Sequence, residues 1–306
     1  MAEREDSPVR LARGPEAVVL CWAAAILGGE ITVERGLREG GSPWLIRAHG
    51  VHAVLRVAPL DSRERLAIEV AALRHAAGAG LPVPEVLGHD DGAAAGFALV
   101  LATMMPGASN IPARPDVRRL RAFGALAARI SAAAAGPAPG LPERSGPIAD
   151  VPWARLRQEQ GAAAILSQAE TAVAGTRPQD TRTALTHGDL WFGNTLWDEN
   201  GALTAVLDWD AAGTGSPGID LGSARLDAAL CYGQGAVSEV LSGWQDEAGR
   251  AAPDLPYWDA VAALATPPDM AWVVPTIADQ GRPDLTGDLL NERRETFLHA
   301  ALGQLD

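Results

Sequence analysis

The sequence predicts an α+β fold with two lobes, a small β-rich N-lobe over residues 1–104 and a larger, mainly helical C-lobe over residues 105–306. Short segments with strand character, separated by glycine-bearing turns, dominate the first third of the chain. From residue 116 onward, apolar residues recur at helical spacing. A third observation is a group of polar residues on short apolar strands near residues 185–210, where packing alone does not require them.

The N-lobe is predicted to hold an antiparallel sheet with one inserted helix. Its first apolar segment, EAVVLCWAAAILGG (16–29), is too short to span a bilayer and favours a buried helix, with a signal peptide as the alternative. Strands are predicted at ITVERGL (31–37), SPWLIRA (42–48) and VHAVLRVA (51–58). A helix is predicted at DSRERLAIEVAALRHAAGAG (61–80), and further extended segments are predicted at LPVPEVLGHD (81–90) and GFALVLATM (96–104).

The C-lobe is predicted to be helical on both sides of a few short strands. Helices are expected at 116–136 and 153–174, and the proline-rich segment between them, 136–152, is expected to be a surface loop. Short strands follow around 184–208, and several helices with proline-bearing junctions extend from Ile219 to the end.

Composition narrows the range of partners. The net charge of −13 argues against nucleic acid as the main partner, because a phosphate backbone demands a basic surface. No membrane span is predicted. Cys21 and Cys231 lie far apart and match no metal-binding spacing, so we expect two free, buried thiols in a reducing, cytoplasmic compartment. Because lysine is absent, arginine or histidine must fill every cationic role.

The most informative stretch is HGDLWFGN (187–194), followed by LDWD (207–210). Asp189 is predicted to lie in a tight turn, where its carboxylate can accept a hydroxyl proton from a substrate. Asn194 offers a neutral oxygen ligand and Asp208 an anionic one, and this combination suits a hard cation such as Mg²⁺. A cation held in this way, with substrate phosphates completing its shell, is typical of phosphoryl transfer.

Each part of this pattern also has a purely structural explanation. His-Gly-Asp is a common turn, Asp-Trp-Asp can end a strand, and asparagines can shape hairpins. The functional interpretation rests on the combination, carried by two short strands that the Asn200-Gly201 turn joins.

The chain resembles the aminoglycoside phosphotransferase and choline kinase families, small-molecule kinases with a protein-kinase-like fold. The resemblance covers nearly the whole chain. It is carried, in the expected order, by VLRV with a downstream Glu69, LPVPEVLG, MMPG, HGDLWFGN, LDWDAAGTGSPGIDLG and YWDAVAAL. It implies that Asp189 is the catalytic aspartate, which orients and deprotonates the substrate hydroxyl, and that Asn194 and Asp208 hold Mg²⁺.

The resemblance assigns supporting roles to other residues of the motif. It implies that His187 supports the catalytic loop and that Asp220 is a buried aspartate tying this loop to the following helix. Asp210 either assists the cation through water or caps the next turn, and both alternatives stay open.

For the nucleotide, the resemblance implies that Arg56 contacts the phosphates and pairs with Glu69, although an arginine here departs from the lysine of many kinases. A surface arginine paired with Glu69 is the structural alternative. The remaining predicted nucleotide contacts are a glycine-bearing turn (Gly40, Gly41, Ser42) and a hinge (Leu101, Ala102, Thr103). ATP is the expected donor, with GTP as an alternative.

The acceptor is predicted to be a small, hydroxyl-bearing molecule, with a cationic molecule as one alternative. Carboxylates and tryptophans of the helical lobe suit an aminoglycoside or a quaternary amine, although such residues are more often solvated or part of a core. The candidate acceptor residues are Trp191, Asp210, Trp244, Trp258 and Trp272. Three hypotheses follow: a kinase for an aminoglycoside-type or related antibiotic, a kinase for a metabolite such as choline, an amino acid or a sugar, and a non-catalytic nucleotide-binding protein.

Overall fold

The computed structural model describes residues 14–38, 41–133 and 138–305. The chain divides into two compact units: one comprises the chain up to Val70 with Pro84–Met104, and the other comprises Ala71–Val83 with the chain from Met105 onward. The first unit is mainly a sheet and the second is mainly helical. The predicted α+β class, with a small β-rich part and a larger helical part, is confirmed.

The first unit is built on a five-stranded antiparallel sheet with the strand order β1-β2-β3-β5-β4. Its strands are β1 (Thr32–Arg38), β2 (Gly41–Ala48), β3 (Val51–Ala58), β4 (Val86–Asp90) and β5 (Ala98–Thr103). Helix α2 (Arg63–Gly78) follows β3 after a short 3₁₀ turn at Leu60–Ser62. Apolar side chains alternate inward along β3 and bury Ala53, Leu55 and Val57, as the period of a strand requires.

Helix α1 (Ala17–Leu27) precedes the sheet and buries one face on it. Val19 and Ala23 are fully buried, whereas Cys21 is exposed, so the expectation of two buried thiols is wrong for Cys21. The helix ends at Gly28, whose left-handed conformation closes the last turn. Among the described residues, no helix combines the length and apolar character needed to cross a membrane.

The second unit holds the remaining helices, α3 (Val117–Ala132), α4 (Trp153–Gln160), α5 (Ala164–Gly175), α6 (Gly218–Tyr232), α7 (Gln234–Ala248), α8 (Leu255–Leu264), α9 (Val274–Asp279) and α10 (Gly287–Leu302). The predicted helix at 153–174 is interrupted between α4 and α5. Gly161 has φ +80° and ψ 157°, an extended left-handed geometry that no helix continues through.

Short strands of the second unit form two small sheets. Strands β6 (Glu143–Arg144), β10 (Gly213–Gly215) and β7 (Ala184–Thr186) make one, and β8 (Thr195–Trp197) with β9 (Leu203–Val206) make the other. In the described part of the predicted surface loop, residues 138–152, most residues are indeed in turns and at least partly exposed, and Glu143–Arg144 is the exception. Glu143–Arg144 pairs in parallel with β10, and the guanidinium of Arg144 is buried where it donates to the Ala212 carbonyl.

Candidate active site

The turn after β7 holds Asp189 in place. Gly188 has φ +78°, and a Cβ atom at this position would lie 2.2 Å from the carbonyl oxygen of Ala211. Only glycine combines this conformation with such a close approach. The main chain of the turn is also held from the proline-rich segment, because the Ile148 N–H donates to the Gly188 carbonyl over 2.8 Å.

Asp220, in the first turn of α6, fastens this turn to the helix. Its carboxylate accepts the backbone N–H of His187 over 2.7 Å and that of Gly188 over 2.9 Å. Complete burial raises the pKa of Asp220, while these two N–H donors, which stabilise the charged form, oppose the rise. The catalytic turn therefore has its main-chain donors satisfied by one buried side chain.

His187 connects the turn to the segment that carries Asp208. Its Nε2 lies 2.8 Å from the Leu207 carbonyl oxygen, and its Nδ1 lies 3.2 Å from the amide nitrogen of Asp189. Because an amide N–H can only donate and a carbonyl can only accept, Nδ1 is the acceptor and Nε2 carries the proton. The imidazole is fully buried and both of its nitrogens are engaged, so it orients the loop and moves no proton.

Leu207 places Asp208 beside Asn194. Its N–H donates to the Asn194 carbonyl over 2.8 Å, while its own carbonyl is held by His187. The next residue, Asp208, adopts a left-handed conformation with φ 62°, and a 3₁₀ turn at Trp209–Ala211 carries Asp210. The two main-chain hydrogen bonds of Leu207 therefore fix the segment that carries Asp208 against the segment that carries His187 and Asn194.

Asn194 contacts Asp189 directly. The amide nitrogen Nδ2 lies 2.9 Å from the Asp189 carbonyl oxygen and 3.2 Å from its carboxylate oxygen Oδ2. With the amide nitrogen engaged in this way, Oδ1 is the atom of the Asn194 side chain that can bind a cation. The side chain therefore both orients the Asp189 carboxylate and offers a neutral oxygen ligand.

Three carboxylates, those of Asp189, Asp208 and Asp210, are concentrated at this site. Burial raises the pKa of Asp189, and the negative charges of Asp208 and Asp210 raise it further, whereas His187 and the bond from Asn194 oppose the rise. Within the described ranges, no three or more His, Cys, Asp or Glu side chains form a metal cluster. The donors here, an amide oxygen with carboxylates, are instead those that Mg²⁺ prefers, and a cation would offset the repulsion.

A cavity of about 220 Å³ adjoins Asp189. Its lining is drawn from the loop that carries Asp189, the proline-rich segment, five helical segments and the residues that follow α8: Pro147, Ile148, Trp153, Asp189, Leu190, Trp191, Ser223, Leu226, Asp227, Leu230, Ala262, Ala265, Thr266, Pro267, Met270, Val273, Thr276 and Ile277. Asp227, which the sequence analysis missed, accepts the Phe192 N–H over 2.7 Å and is buried. Asp220, Ser223 and Asp227 have i, i+3, i+7 spacing, and this signal could have identified one face of α6 as functional.

The candidate acceptor residues lie in different places. Trp191 lines the cavity, while Asp210 acts electrostatically on Asp189 without lining it. Trp244 and Trp258 are buried between helices and do not reach the cavity, because a large apolar ring is stabilised most by such packing. Trp272 is 51% exposed and also lies outside the cavity lining.

Two of the predicted nucleotide residues form an ion pair in the first unit. Arg56 on β3 donates from Nη1 to Glu69 Oε1 on α2 over 2.7 Å, and both side chains are largely buried. Gly40 lies outside the described residues, and Gly41 begins β2. The Ser42 hydroxyl donates to the Val57 carbonyl and accepts the Val57 N–H, each over 2.9 Å, so it joins two strands.

The predicted hinge residues lie inside the sheet. Leu101 and Ala102 of β5 pair with β3 on one side and with β4 on the other. Thr103 pairs with Ala53 on β3, and its N–H donates to the Glu85 carbonyl over 2.9 Å. All three residues are therefore paired within the sheet, and the Thr103 N–H is already bonded. The next residue, Met104, is exposed.

Comparison with known proteins places this geometry in context. The profile of the phosphotransferase enzyme family matches residues 35–283, most of the chain. No curated protein matches the sequence significantly.

Solved structures share the fold over nearly their whole length. A candidate aminoglycoside phosphotransferase from Ralstonia eutropha JMP134 is 17% identical with a TM-score of 0.65, covering 94% of this chain and 98% of that chain. The macrolide 2′-phosphotransferase MphH from Brachybacterium faecium is 22% identical with a TM-score of 0.61, covering 94% and 99%. A thermostable mutant of the aminoglycoside phosphotransferase APH(4)-Ia, in a ternary complex with AMP-PNP and hygromycin B, is 18% identical with a TM-score of 0.59, covering 94% and 100%. At these identities the likeness establishes the fold alone.

Proposed function

The chain belongs to the phosphotransferase enzyme family, and from that premise we propose that it transfers the γ-phosphoryl group of ATP to a hydroxyl group of an aminoglycoside-type or related antibiotic. The predicted family and the predicted phosphotransferase activity are confirmed by the profile match. The observation that carries the finer proposal is the convergence of Asp189, Asn194 and Asp208 through Leu207 and His187.

Asp189 is the residue that acts on the acceptor. Its carboxylate lines the cavity, and the bond from Asn194 holds one of its oxygens. An acceptor hydroxyl that donates to the other oxygen would be oriented for attack on phosphorus, and its proton would pass to Asp189 as the new bond forms. The raised pKa of Asp189 favours this proton transfer, because a carboxylate that is harder to ionise is a stronger base.

Asn194 and Asp208 would hold Mg²⁺, with Asp210 assisting through water or capping the 3₁₀ turn. A bound Mg²⁺ supplies charge neutralisation for the phosphates. The chain contributes the fixed spacing of these ligands, because His187 and Asp220 hold both acidic segments by hydrogen bonds to the main chain. Preorganised ligands need no rearrangement when the nucleotide arrives.

The first unit supplies the nucleotide contacts. Arg56, held by its ion pair with Glu69, would bind the phosphates through its guanidinium group. The segment predicted from the sequence, Gly40, Gly41 and Ser42, would contribute backbone N–H groups. We place the adenine contact at Met104 rather than at Leu101, Ala102 and Thr103, whose main chain is paired in the sheet.

ATP is the proposed donor and GTP the alternative, since a base recognised through main chain is weakly discriminated. A neighbour that holds AMP-PNP and hygromycin B supports both a nucleoside triphosphate and an antibiotic acceptor. A cytoplasmic location, where ATP is available, fits this chemistry, and neither nucleic acid nor a membrane is a proposed partner.

The test is ADP release measured with the purified protein, Mg²⁺ and ATP against a panel of aminoglycosides, macrolides and metabolite alcohols that includes choline, serine and simple sugars. We expect turnover to rise with an antibiotic acceptor. Stimulation only by a metabolite alcohol would overturn the proposed acceptor. No stimulation by any compound, together with no binding of Mg-ATP by calorimetry, would overturn the kinase itself.

A further inference from the structure

The acceptor cavity beside Asp189 has mainly apolar walls. Leucines 226 and 230 on α6, with Met270 and Ile277, contribute to these walls. Among the described residues that line the cavity, two carry a charged side chain, Asp189 and Asp227. A ligand with several ammonium groups would leave most of them facing apolar side chains, where an unpaired charge is costly.

Asp227 is a buried carboxylate whose negative charge is only weakly stabilised by its hydrogen-bond donors. Its hydrogen-bond donors in the described part of the chain are the Phe192 N–H and the Cys231 thiol, at 2.7 and 3.8 Å, and neither donor is charged. Burial raises the pKa of Asp227 to about 7, and the negative charge of Asp189 contributes to the rise. Asp189 and Asp227 line the same cavity, so one ligand can meet both carboxylates.

Asp259 on α8 provides an internal comparison. It is about as buried as Asp227, with 5% and 7% of their surfaces exposed. Asp259 receives two parallel hydrogen bonds from Arg225, over 2.9 and 2.8 Å, whereas the donors of Asp227 are neutral. Buried carboxylates are normally paired with a cation. Of these two, Asp227 is the one that receives no hydrogen bond from a cationic side chain in the part of the protein that the structure describes.

We propose that Asp227 determines acceptor specificity by binding the ammonium group of a largely apolar amino alcohol whose hydroxyl group meets Asp189. This inference rests on the proposed function, because it names the acceptor class for that same cavity. The ammonium supplies the charge that Asp227 lacks, and the apolar body covers the walls. Among the antibiotic acceptors of the proposed function, one with a single cationic group therefore fits better than a polycationic aminoglycoside.

The test measures binding with two isosteric probes, so it does not depend on turnover. One is 2-(dimethylamino)-1-phenylethanol, which is cationic at neutral pH, and the other is 3-methyl-1-phenylbutan-1-ol, in which carbon replaces the charged nitrogen. On the unaltered protein we expect calorimetry to show a preference for the amine of about thirtyfold, the usual size for a desolvated charge pair. Hygromycin B, the polycationic comparator, should bind more weakly than the amine.

Two isosteric variants identify the residue responsible. Asp227→Asn keeps an oxygen that can accept the Phe192 N–H, and we expect the preference for the amine to fall to within about threefold. Asp189→Asn, the matched control in the same cavity, should retain the preference. Equal affinity for both probes in the unaltered protein, or an unchanged preference in Asp227→Asn, would overturn the proposal. Equal weakening of both probes in Asp227→Asn would also overturn it, since Asp227 would then act only by supporting Phe192.

Failure of this inference can be separated from failure of the proposed function. ADP release with a neutral or polycationic acceptor, without a preference for the amine probe, would refute the role of Asp227 and leave the kinase intact. A preference for the amine without ADP release from any acceptor would leave the cavity assignment standing and refute the kinase.

Discussion

At the scale of single residues, the proposed chemistry depends on the Asp189 carboxylate, so its replacement gives the most direct prediction. Asp189→Asn keeps the shape of the side chain but cannot accept the hydroxyl proton. We expect transfer to fall by about 10³-fold, within the range for loss of a general base. ADP release measures this loss, and calorimetry with Mg-ATP should show little change in nucleotide affinity. Loss of nucleotide binding in this variant would instead indicate that Asp189 is a metal ligand.

The pKa of Asp227 predicts a pH-dependent stability that is unusual in sign for an aspartate. Its folded pKa of about 7 lies above the ordinary value of 3.8, so the folded state keeps a proton that the unfolded chain releases. Stability contributed by this group is present below the lower value and is lost as the pH rises through the folded pKa.

Asp227→Asn removes this dependence. The difference in unfolding free energy between the unaltered protein and the variant should fall as the pH rises from 4 to 7, by at most about 1.4 kcal/mol per pH unit. Urea denaturation at several pH values checks this. Because Asp220 and Asp259 are the same in both proteins, their contributions cancel. A constant difference across this range would contradict the raised pKa.

Sequence spacing predicted that Asp189, Asn194 and Asp208 meet, and the two segments that carry them are indeed joined by hydrogen bonds. This was predictable because the two segments belong to one hairpin. Asp227 could not be recognised in the same way. Its burial and its contact with Phe192 arise from the packing of α6 against the catalytic loop, which is a long-range property. Trp244 and Trp258 were predicted as acceptor residues, yet both are buried. The sequence could not separate these two environments, because an aromatic ring that suits a cationic ligand is equally suited to a helix interface.

At the scale of elements, the packing of α3 on α7 requires glycine at the points of contact. A Cβ atom at Gly243 would lie 2.0 Å from the Arg121 carbonyl oxygen, and at Gly124 it would lie 1.9 Å from the Val240 carbonyl oxygen. We expect Gly243→Ala to lower the free energy of unfolding by about 3 kcal/mol, because main chain must move apart. Thermal and urea denaturation measure the change.

Gly235, in the exposed first turn of α7, is the matched control. A Cβ atom there meets nothing within 4 Å, so Gly235→Ala should leave stability unchanged or raise it by about 0.5–1 kcal/mol through better helix propensity. Similar losses in both variants would mean that the close contact between helices is not the cause.

Most element types were predictable from the periodicity of apolar residues. Two features of the fold, a helix break and the contacts of a loop, depended on information that this periodicity lacks. The break between α4 and α5 comes from the φ of a single glycine, Gly161, inside an otherwise helical pattern. The proline-rich segment was expected to be exposed, yet Glu143–Arg144 adds a strand to β10 and Ile148 bonds to the catalytic turn. The contribution of the proline-rich segment can be recognised only when the residues that it contacts, which are distant in sequence, are known.

At the scale of the whole molecule, ligand binding should be measurable as stability. Mg-ATP at about 100 times its dissociation constant should add about 2.7 kcal/mol to the free energy of unfolding of the folded chain. ATP with EDTA should stabilise less, because Asn194 and Asp208 would have no cation to share with the phosphates. Thermal denaturation with each combination checks both expectations.

Arg56 should account for part of this stabilisation. Arg56→Ala should reduce the thermal shift produced by Mg-ATP, whereas Arg63→Ala, which alters an exposed arginine at the start of α2, should not. An undiminished shift in Arg56→Ala would mean that the ion pair with Glu69 has a structural role only. Composition alone had shown that arginine must fill the cationic role, but not whether Arg56 and Glu69 would meet.

Leu207 shows how this site can tolerate evolutionary change. The residue joins the two acidic segments entirely through its own amide and carbonyl groups, which every amino acid except proline provides in full. Many side chains at this position would therefore preserve the spacing of Asn194 and Asp208, while proline would remove the N–H that Asn194 accepts. Distant members of the lineage can thus differ at position 207 and still inherit the same reaction centre.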